Sequence, residues 1–173
     1  PPTVAAPTGA GARHLVLDAA GANAYVLTEY SGEVLRFARD ADSGVLSYVN
    51  ARQAHPGDRG LAHSRFGADP VAGHLIWASD LHLDAAGTTL YTAERCASTL
   101  TALPVEADGS VGEALGHTDV VQQPRGFAVL PVGTLLVASE ATPVVAQYRP
   151  VGDGTLELVA EFDAATPAVA IIK

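Results

Sequence analysis

A single cysteine, Cys96, leaves no possibility of an internal disulfide in this 173-residue sequence and says little about redox compartment. Lysine is almost absent: Lys173 stands alone, and the 10 basic residues face 19 acidic ones, for a net charge of −9. That acidity argues against nucleic acid or an anionic membrane as a partner. Apolar runs are cut by Gly, Asp or Pro well short of the length that crosses a bilayer. The opening PPTVAAPTGAGA has no basic residue ahead of a hydrophobic run, so no signal peptide is expected, and a cytoplasmic location is the default expectation. No window sustains a 3.6-residue apolar period. Gly-x-Ser-x-Gly, Walker-type and Gly-x-Gly-x-x-Gly patterns are missing too, which sets aside the chemistries that depend on them.

What is present is strand. Apolar residues make up 48% of the chain, enough for a real core. HLVLD, NAYVLTEY and EVLRFARD are short, rich in β-formers and separated by turn residues. An internal repeat decides the architecture. Asp18-Ala19-Ala20-Gly21 returns as Asp84-Ala85-Ala86-Gly87, which sets Tyr25 on Tyr91 and Glu29 on Arg95. A third copy sets Gly87 on Gly133, and Arg13 and Arg125 then share the repeat position of Ser79. Each copy ends in a fourth strand: 44–53, 109–118 and 154–163. Four antiparallel strands per unit describe a propeller blade; a β-sandwich is the alternative, but it lacks this regular repetition.

The expected fold is therefore all-β: a β-propeller with three four-stranded blades plus one extra inner strand. Blades are expected over 11–53, 76–120 and 121–163, with an excursion loop at 54–75 and the inner strand of a next blade at 164–173. Three blades leave two open edges, so self-association or a complementary N-terminal half is the expected partner.

In a blade the strands run A to D outwards from a central channel. The start of A, the B–C turn and the D–A connection then share one face. Arg13, Arg125 and Asp80 begin A strands; Glu29, Glu94, Arg95 and Glu140 end B strands. All should surround one channel mouth, with Arg52, Arg59 and Arg65 in the neighbouring loop. Arginine grips carboxylate or phosphate in a planar, bidentate way, so an anion site is expected. The competing reading makes Arg13 and Arg125 ties between blades. Glu29 could be a general base or the partner of Arg13; a base needs a raised pKa, which a nearby arginine opposes. Asp80 and His82 share one side of a strand and could reach a metal, but no third ligand is evident, so no metal and no cofactor are expected. Strand alternation places His14 on the opposite side from Arg13. Cys96 has no adjacent base and is expected to be inert.

These residues resemble a known family. Gly11-Ala12-Arg13-His14 followed by Tyr25 to Glu29 is similar to the Gly-Pro-Arg-His … Asn-Glu pattern of the lactonase-type seven-bladed propellers, the 6-phosphogluconolactonase family. Asp80-Leu81-His82 resembles its Asp-Ile-His strand, Tyr91 to Arg95 its Tyr-x-x-Asn/Asp-Arg, and Gln123-Pro124-Arg125-Gly126-Phe127 matches its Gln-Pro-Arg-Gly-Phe unchanged. The resemblance implies the C-terminal half of a seven-bladed ring and a sugar-lactone hydrolase of the pentose phosphate pathway acting on a small anionic lactone or carboxylate. It points to Glu29, Arg13 and Arg95 as catalytic and to Arg125, Asp80 and His82 as substrate-binding. The family's reacting histidine is implied to lie in the other half. A muconate-type lactonising cyclase and a non-catalytic binding platform are the alternatives the same scaffold allows. Glu94 stands where the family has Asn or Asp, adding negative charge beside Arg95.

Overall fold

The computed structural model describes residues 3–167. Strand-forming segments separated by Gly and Asp turns fold into three four-stranded antiparallel sheets. The first holds β1 (Ala12–Leu17), β2 (Asn23–Thr28), β3 (Glu33–Arg39) and β4 (Leu46–Gln53). The second holds β5 (Ala78–Leu83), β6 (Thr89–Glu94), β7 (Thr99–Pro104) and β8 (Gly116–Asp119). The third holds β9 (Pro124–Val129), β10 (Leu135–Ser139), β11 (Val144–Pro150) and β12 (Leu156–Asp163). Strands follow sequence order in every sheet, and β5 neighbours β1 on one side and β9 on the other, so each sheet is a blade with its first strand innermost. The expected inner strand at 164–173 falls largely outside the described residues, and Ala164–Pro167 are not in a strand. Among the described residues no helix is long and apolar enough to cross a membrane.

The repeated Asp-Ala-Ala-Gly segments are the first hairpin turns. Asp18 accepts from the backbone of Ala22 at 2.8 Å and from Asn23 Nδ2 at 2.7 Å, while Gly21 takes a φ of +66°. Asp84 and Gly87 do the same one blade later, with Thr88 as donor.

Two-residue alternation builds the core. In β6, Leu90 faces the first blade and Tyr91 faces the third. Tyr25, Leu27 and Val34 pack against Ala78, Leu81, Leu90, Leu103 and Val111 between blades one and two. Tyr91 and Leu100 meet Phe127, Val129, Leu135 and Val137 between blades two and three. The middle blade is thus covered on both faces, and β5 to β7 are nearly continuous buried runs. On β12, Leu158, Val159 and Phe162 are about half exposed.

One expectation needs correction. The fourth strand of the second blade is shorter than 109–118: residues 109–115 contribute an isolated Val105–Val111 bridge and single backbone bonds to the end of β7, and the ladder proper starts at Gly116. The long connection between blades one and two has regular turns of its own. It carries a 3-10 turn at Gly57–Arg59 and one helical turn, α1 (Pro70–Gly73), capped by the Asp69 carboxylate. It is fastened by Ser64 N–H donating to Tyr30 O at 3.0 Å.

Gly154 has a φ of +84°, and a Cβ there would meet Leu115 Cβ at 2.3 Å and Gly116 N at 2.7 Å. Gly133 has a similar φ of +85° but open space around it. Gly133→Ala should therefore lower unfolding free energy by about 1–2 kcal/mol, the left-handed penalty alone. Gly154→Ala should cost distinctly more, because backbone must move. Urea denaturation of the two variants side by side measures the difference.

Candidate active site

The ends of the inner strands carry the site, and each is bulged. The β1–β2 register slips between Ala12 and His14, the β9–β10 register between Pro124 and Gly126, and the β5–β6 register between Ala78 and Leu81. The extra residues are Arg13, Arg125 and one of the pair Ser79–Asp80. A bulge bends its strand and re-aims side chains that simple alternation would send elsewhere. Three bulges at one repeat position therefore aim three strands at one place.

Five charged side chains meet there in a chain that crosses all three blades. Arg13 Nε lies 3.9 Å from Glu29 Oε1. Arg95 Nη2 donates to the same Glu29 oxygen at 2.7 Å, and Arg95 Nη1 lies 3.4 Å from Glu140 Oε2. Arg125 Nη1 pairs with Glu140 Oε1. Three guanidinium groups share two carboxylates, which leaves one positive charge in excess within the row; the Asp80 carboxylate acts on Arg13 from beside it. Arg13 and Arg95 are each held below the usual arginine range, chiefly by burial; Arg13 feels the charge of Arg125, and Arg95 that of Arg13.

Arg95 is only 2% exposed. Its Nε donates to Trp77 O at 3.2 Å, and its guanidinium stacks 3.6 Å above the Trp77 ring. Trp77 Nε1 also donates to Glu29 Oε1 at 3.1 Å. Arg13 and Arg125 are more open, with side chains 18% and 38% exposed. Glu94, expected to weaken the grip of Arg95, is instead buried in the turn: it accepts from the backbone N–H of Trp77 at 2.5 Å and of Ala97 at 2.6 Å. Burial pushes its carboxyl above the ordinary range, against those two hydrogen bonds.

Asp80 forms a second cluster beside the first. Its carboxylate accepts from His14 Nδ1 at 2.8 Å, His82 Nε2 at 3.2 Å, and the backbone N–H of Leu81 at 3.0 Å and of Phe127 at 3.2 Å. Burial alone would raise its pKa, but the hydrogen bonds from His82 and His14 outweigh burial and hold it below the usual aspartate value. His82 packs edge-on against Phe127 of the next blade, 4.8 Å between ring centres. Among the described residues no three ligating side chains converge as a metal site.

The structure corrects two further expectations. His14 and Arg13 are not on opposite sides of the strand: Arg13 Nη1 lies 3.0 Å from His14 Nε2, because the bulge at Arg13 breaks the alternation. Arg52 and Arg59 do not face the channel. Arg52 Nε donates to Val111 O at 2.9 Å and Arg59 Nη2 to Asp119 at 2.6 Å, so both fasten the outer part of the second blade. Cys96 is a protonated thiol, pushed up to about 11 by burial and then by the charge of Glu94. Trp77 was not anticipated; the signal available was a lone tryptophan on the connection into an inner strand.

A cleft of about 130 Å³ opens beside Arg95, lined by His74, Cys96, Ser98 and Gln123. A wider one of about 330 Å³ lies on the far face among the hairpin turns. Its charged lining is Asp18 and Glu106, with no basic group, so it does not suit an anion.

The family model described as "Lactonase, 7-bladed beta-propeller" matches residues 1–171. The chain belongs to the seven-bladed β-propeller lactonase family. It is 34% identical over 131 residues to the 6-phosphogluconolactonase of Sodalis glossinidius, covering 76% of this chain and 36% of that protein. It is 32% identical over 139 residues to that of Cronobacter sakazakii, covering 80% and 38%. Among solved structures, the periplasmic gluconolactonase of Pseudomonas aeruginosa superposes with a TM-score of 0.79 at 26% identity, over 95% of this chain and 43% of that one. A putative 6-phosphogluconolactonase of Bacteroides fragilis shares the fold with a TM-score of 0.76 at 23% identity. The chain thus spans well under half the length of the lactonases it matches.

Within this cluster of charges, Arg95 is the piece whose removal should unfold most. Arg95→Ala takes away the one group among the described residues that pairs with both Glu29 of the first blade and Glu140 of the third. It should lower stability by about 3 kcal/mol or more, the cost of breaking a largely buried ion pair. Arg149→Ala, at an exposed pair with Glu157, should cost under about 1 kcal/mol. Denaturant midpoints of the two variants make the comparison.

Proposed function

We propose that this chain supplies three blades and part of the active site of a sugar-lactone hydrolase acting on a phosphorylated aldonolactone such as 6-phosphogluconolactone. The observation that carries the proposal is the row of charges Arg13–Glu29–Arg95–Glu140–Arg125, with its one surplus positive charge, at the bulged ends of the inner strands. Relatives named 6-phosphogluconolactonase, at 31–34% identity, support the choice of substrate.

In the proposed reaction the lactone carbonyl lies at the channel mouth. Arg13 has N–H groups near the opening and stabilises the oxyanion as water adds to the carbonyl carbon. Arg125 takes the phosphate, a pairing that suits a guanidinium. Glu29 has its Oε1 held by Arg95 and Trp77 and orients the attacking water. Arg95 acts through Glu29 and Glu140, because each of its nitrogens already has a partner. Asp80 and His82 border the substrate from the middle blade.

Four further blades, from a longer polypeptide or another chain, would close the ring and complete the channel. On this reading the protein serves carbohydrate metabolism in the pentose phosphate pathway. A cytoplasmic location is part of the proposal and is checked by cell fractionation, since one structural relative is a periplasmic gluconolactonase.

The test is hydrolysis of 6-phosphogluconolactone by the full-length protein, measured against the lactone's spontaneous opening. Enzyme-dependent acceleration is expected. Arg13→Ala and Arg125→Ala should each lower kcat/KM by about ten- to a hundredfold, the loss of one charge-assisted hydrogen bond of roughly 1.5–3 kcal/mol. No acceleration by the wild-type protein overturns the proposal.

A further inference from the structure

One step of the lactonase reading remains to be assigned, the loss of a proton by the attacking water: the family resemblance implies a reacting histidine in the other half, and this chain carries a candidate of its own. Glu29 is poorly placed to take the proton, since its Oε1 already accepts from Arg95 Nη2 at 2.7 Å and Trp77 Nε1 at 3.1 Å. His14 is differently placed. Its side chain is 46% exposed, yet both ring nitrogens are fixed by partners of known sense. Asp80, 11% exposed and flanked by four donors, is an ionised carboxylate that can only accept, so His14 Nδ1 must carry a proton. Arg13 Nη1 can only donate, so His14 Nε2, 3.0 Å away, must present its lone pair. Two neighbours on different blades therefore specify the same tautomer, with the basic nitrogen beside the group proposed to hold the oxyanion.

We propose that His14 Nε2 is the proton acceptor of the lactone-opening reaction and that Asp80 is its positioning residue. The inference rests on the lactonase reading above. An anionic substrate oxygen that takes over the Arg13 guanidinium frees the Nε2 lone pair for water. The water oxygen then bonds to the lactone carbonyl carbon while its proton passes to Nε2. When the tetrahedral adduct collapses, the ring C–O bond breaks and Nε2–H returns that proton to the departing ring oxygen, leaving the open-chain acid and neutral His14. Asp80 has the part a buried carboxylate has behind a catalytic histidine: it fixes the ring and stabilises the imidazolium that forms. The other charged or titratable groups around His14 are Arg13 on its own strand, Asp80 and His82 on β5, and, beyond Arg13, Glu29 and Arg125.

The test is the pH profile of kcat/KM for 6-phosphogluconolactone in the full-length wild type, His14→Gln and Asp80→Asn, with nitrogen-15 spectra of the histidine rings read beside it. The wild type should lose activity as pH falls and the base takes up a proton. His14→Gln should be slower by about 10²–10⁴-fold and should have no such limb. Asp80→Asn should lower kcat by at least about tenfold with KM little changed, and its His14 ring should no longer be held as the Nδ1–H tautomer, a readout that a merely structural role would not move. The spectra, which need no turnover, should show His14 as the Nδ1–H tautomer. Wild-type turnover with an unchanged rate or limb in His14→Gln overturns this inference alone, as does an Nε2–H tautomer. Absence of turnover in the wild type overturns the lactonase reading and this inference with it.

Discussion

Arg95 is a full charge with almost no contact with water, and the structure around it follows from that. Its charge is offset by Glu29, which the first blade supplies, and by Glu140, which the third supplies. A charge so placed is tolerated only when its partners are well oriented and its remaining donors are satisfied. Trp77 meets the second need, with its carbonyl on Nε and its ring beneath the guanidinium. One buried cation thereby ties the first and third blades through the second, beside the apolar packing and the other hydrogen bonds between blades. That point is the channel mouth, where the more open Arg13 and Arg125 flank the buried arginine. The residue that fixes blade geometry also fixes the spacing of the groups proposed to meet substrate.

The bulges are the second half of this arrangement. Strand A must both pair with strand B and present its first residues to the channel, and a regular ladder cannot do both. One extra residue per blade resolves the conflict. In the first blade it brings Arg13 and His14 together, although they are sequence neighbours that a plain strand would hold apart. In the second, Ser79 donates to Pro124 O of the third blade and its own carbonyl receives Arg13 of the first. Polar ties between blades thus gather at the inner strand ends, where the open cations also lie, while others, such as Tyr25 Oη to Gly109 O and Arg52 Nε to Val111 O, fasten the blades elsewhere.

Much of this could be read from the sequence, and the parts that could not share a cause. Blades, hairpin turns and the common register of Arg13, Ser79 and Arg125 are periodic properties, and periodicity is visible in one dimension. The grouping of Glu29, Arg95 and Glu140 followed from the ends of B strands lying on one face. The bulges were hidden because they are properties of pairing between strands, so the side on which His14 lies was misjudged. Trp77 was missed because it sits outside the repeat, in the connection that precedes β5. Arg52 and Arg59 looked like members of an anion-binding loop, but an ordered connection turned them towards Val111 and Asp119. The loop's fold depends on Gly60 and His74 adopting left-handed backbone, and on the carboxylate cap of Asp69, which composition does not reveal.

The exposed arginines of the channel mouth are predicted to bind an anion. Calorimetric titration of the full-length protein with 6-phosphogluconate, the open-chain product, measures this without catalysis. Binding should be salt-sensitive, should weaken by at least about tenfold in Arg13→Ala and in Arg125→Ala, and should be unchanged in Arg149→Ala on the outer rim. Equal affinity in all three variants would contradict the account, because the inner arginines would then be ties between blades and nothing more.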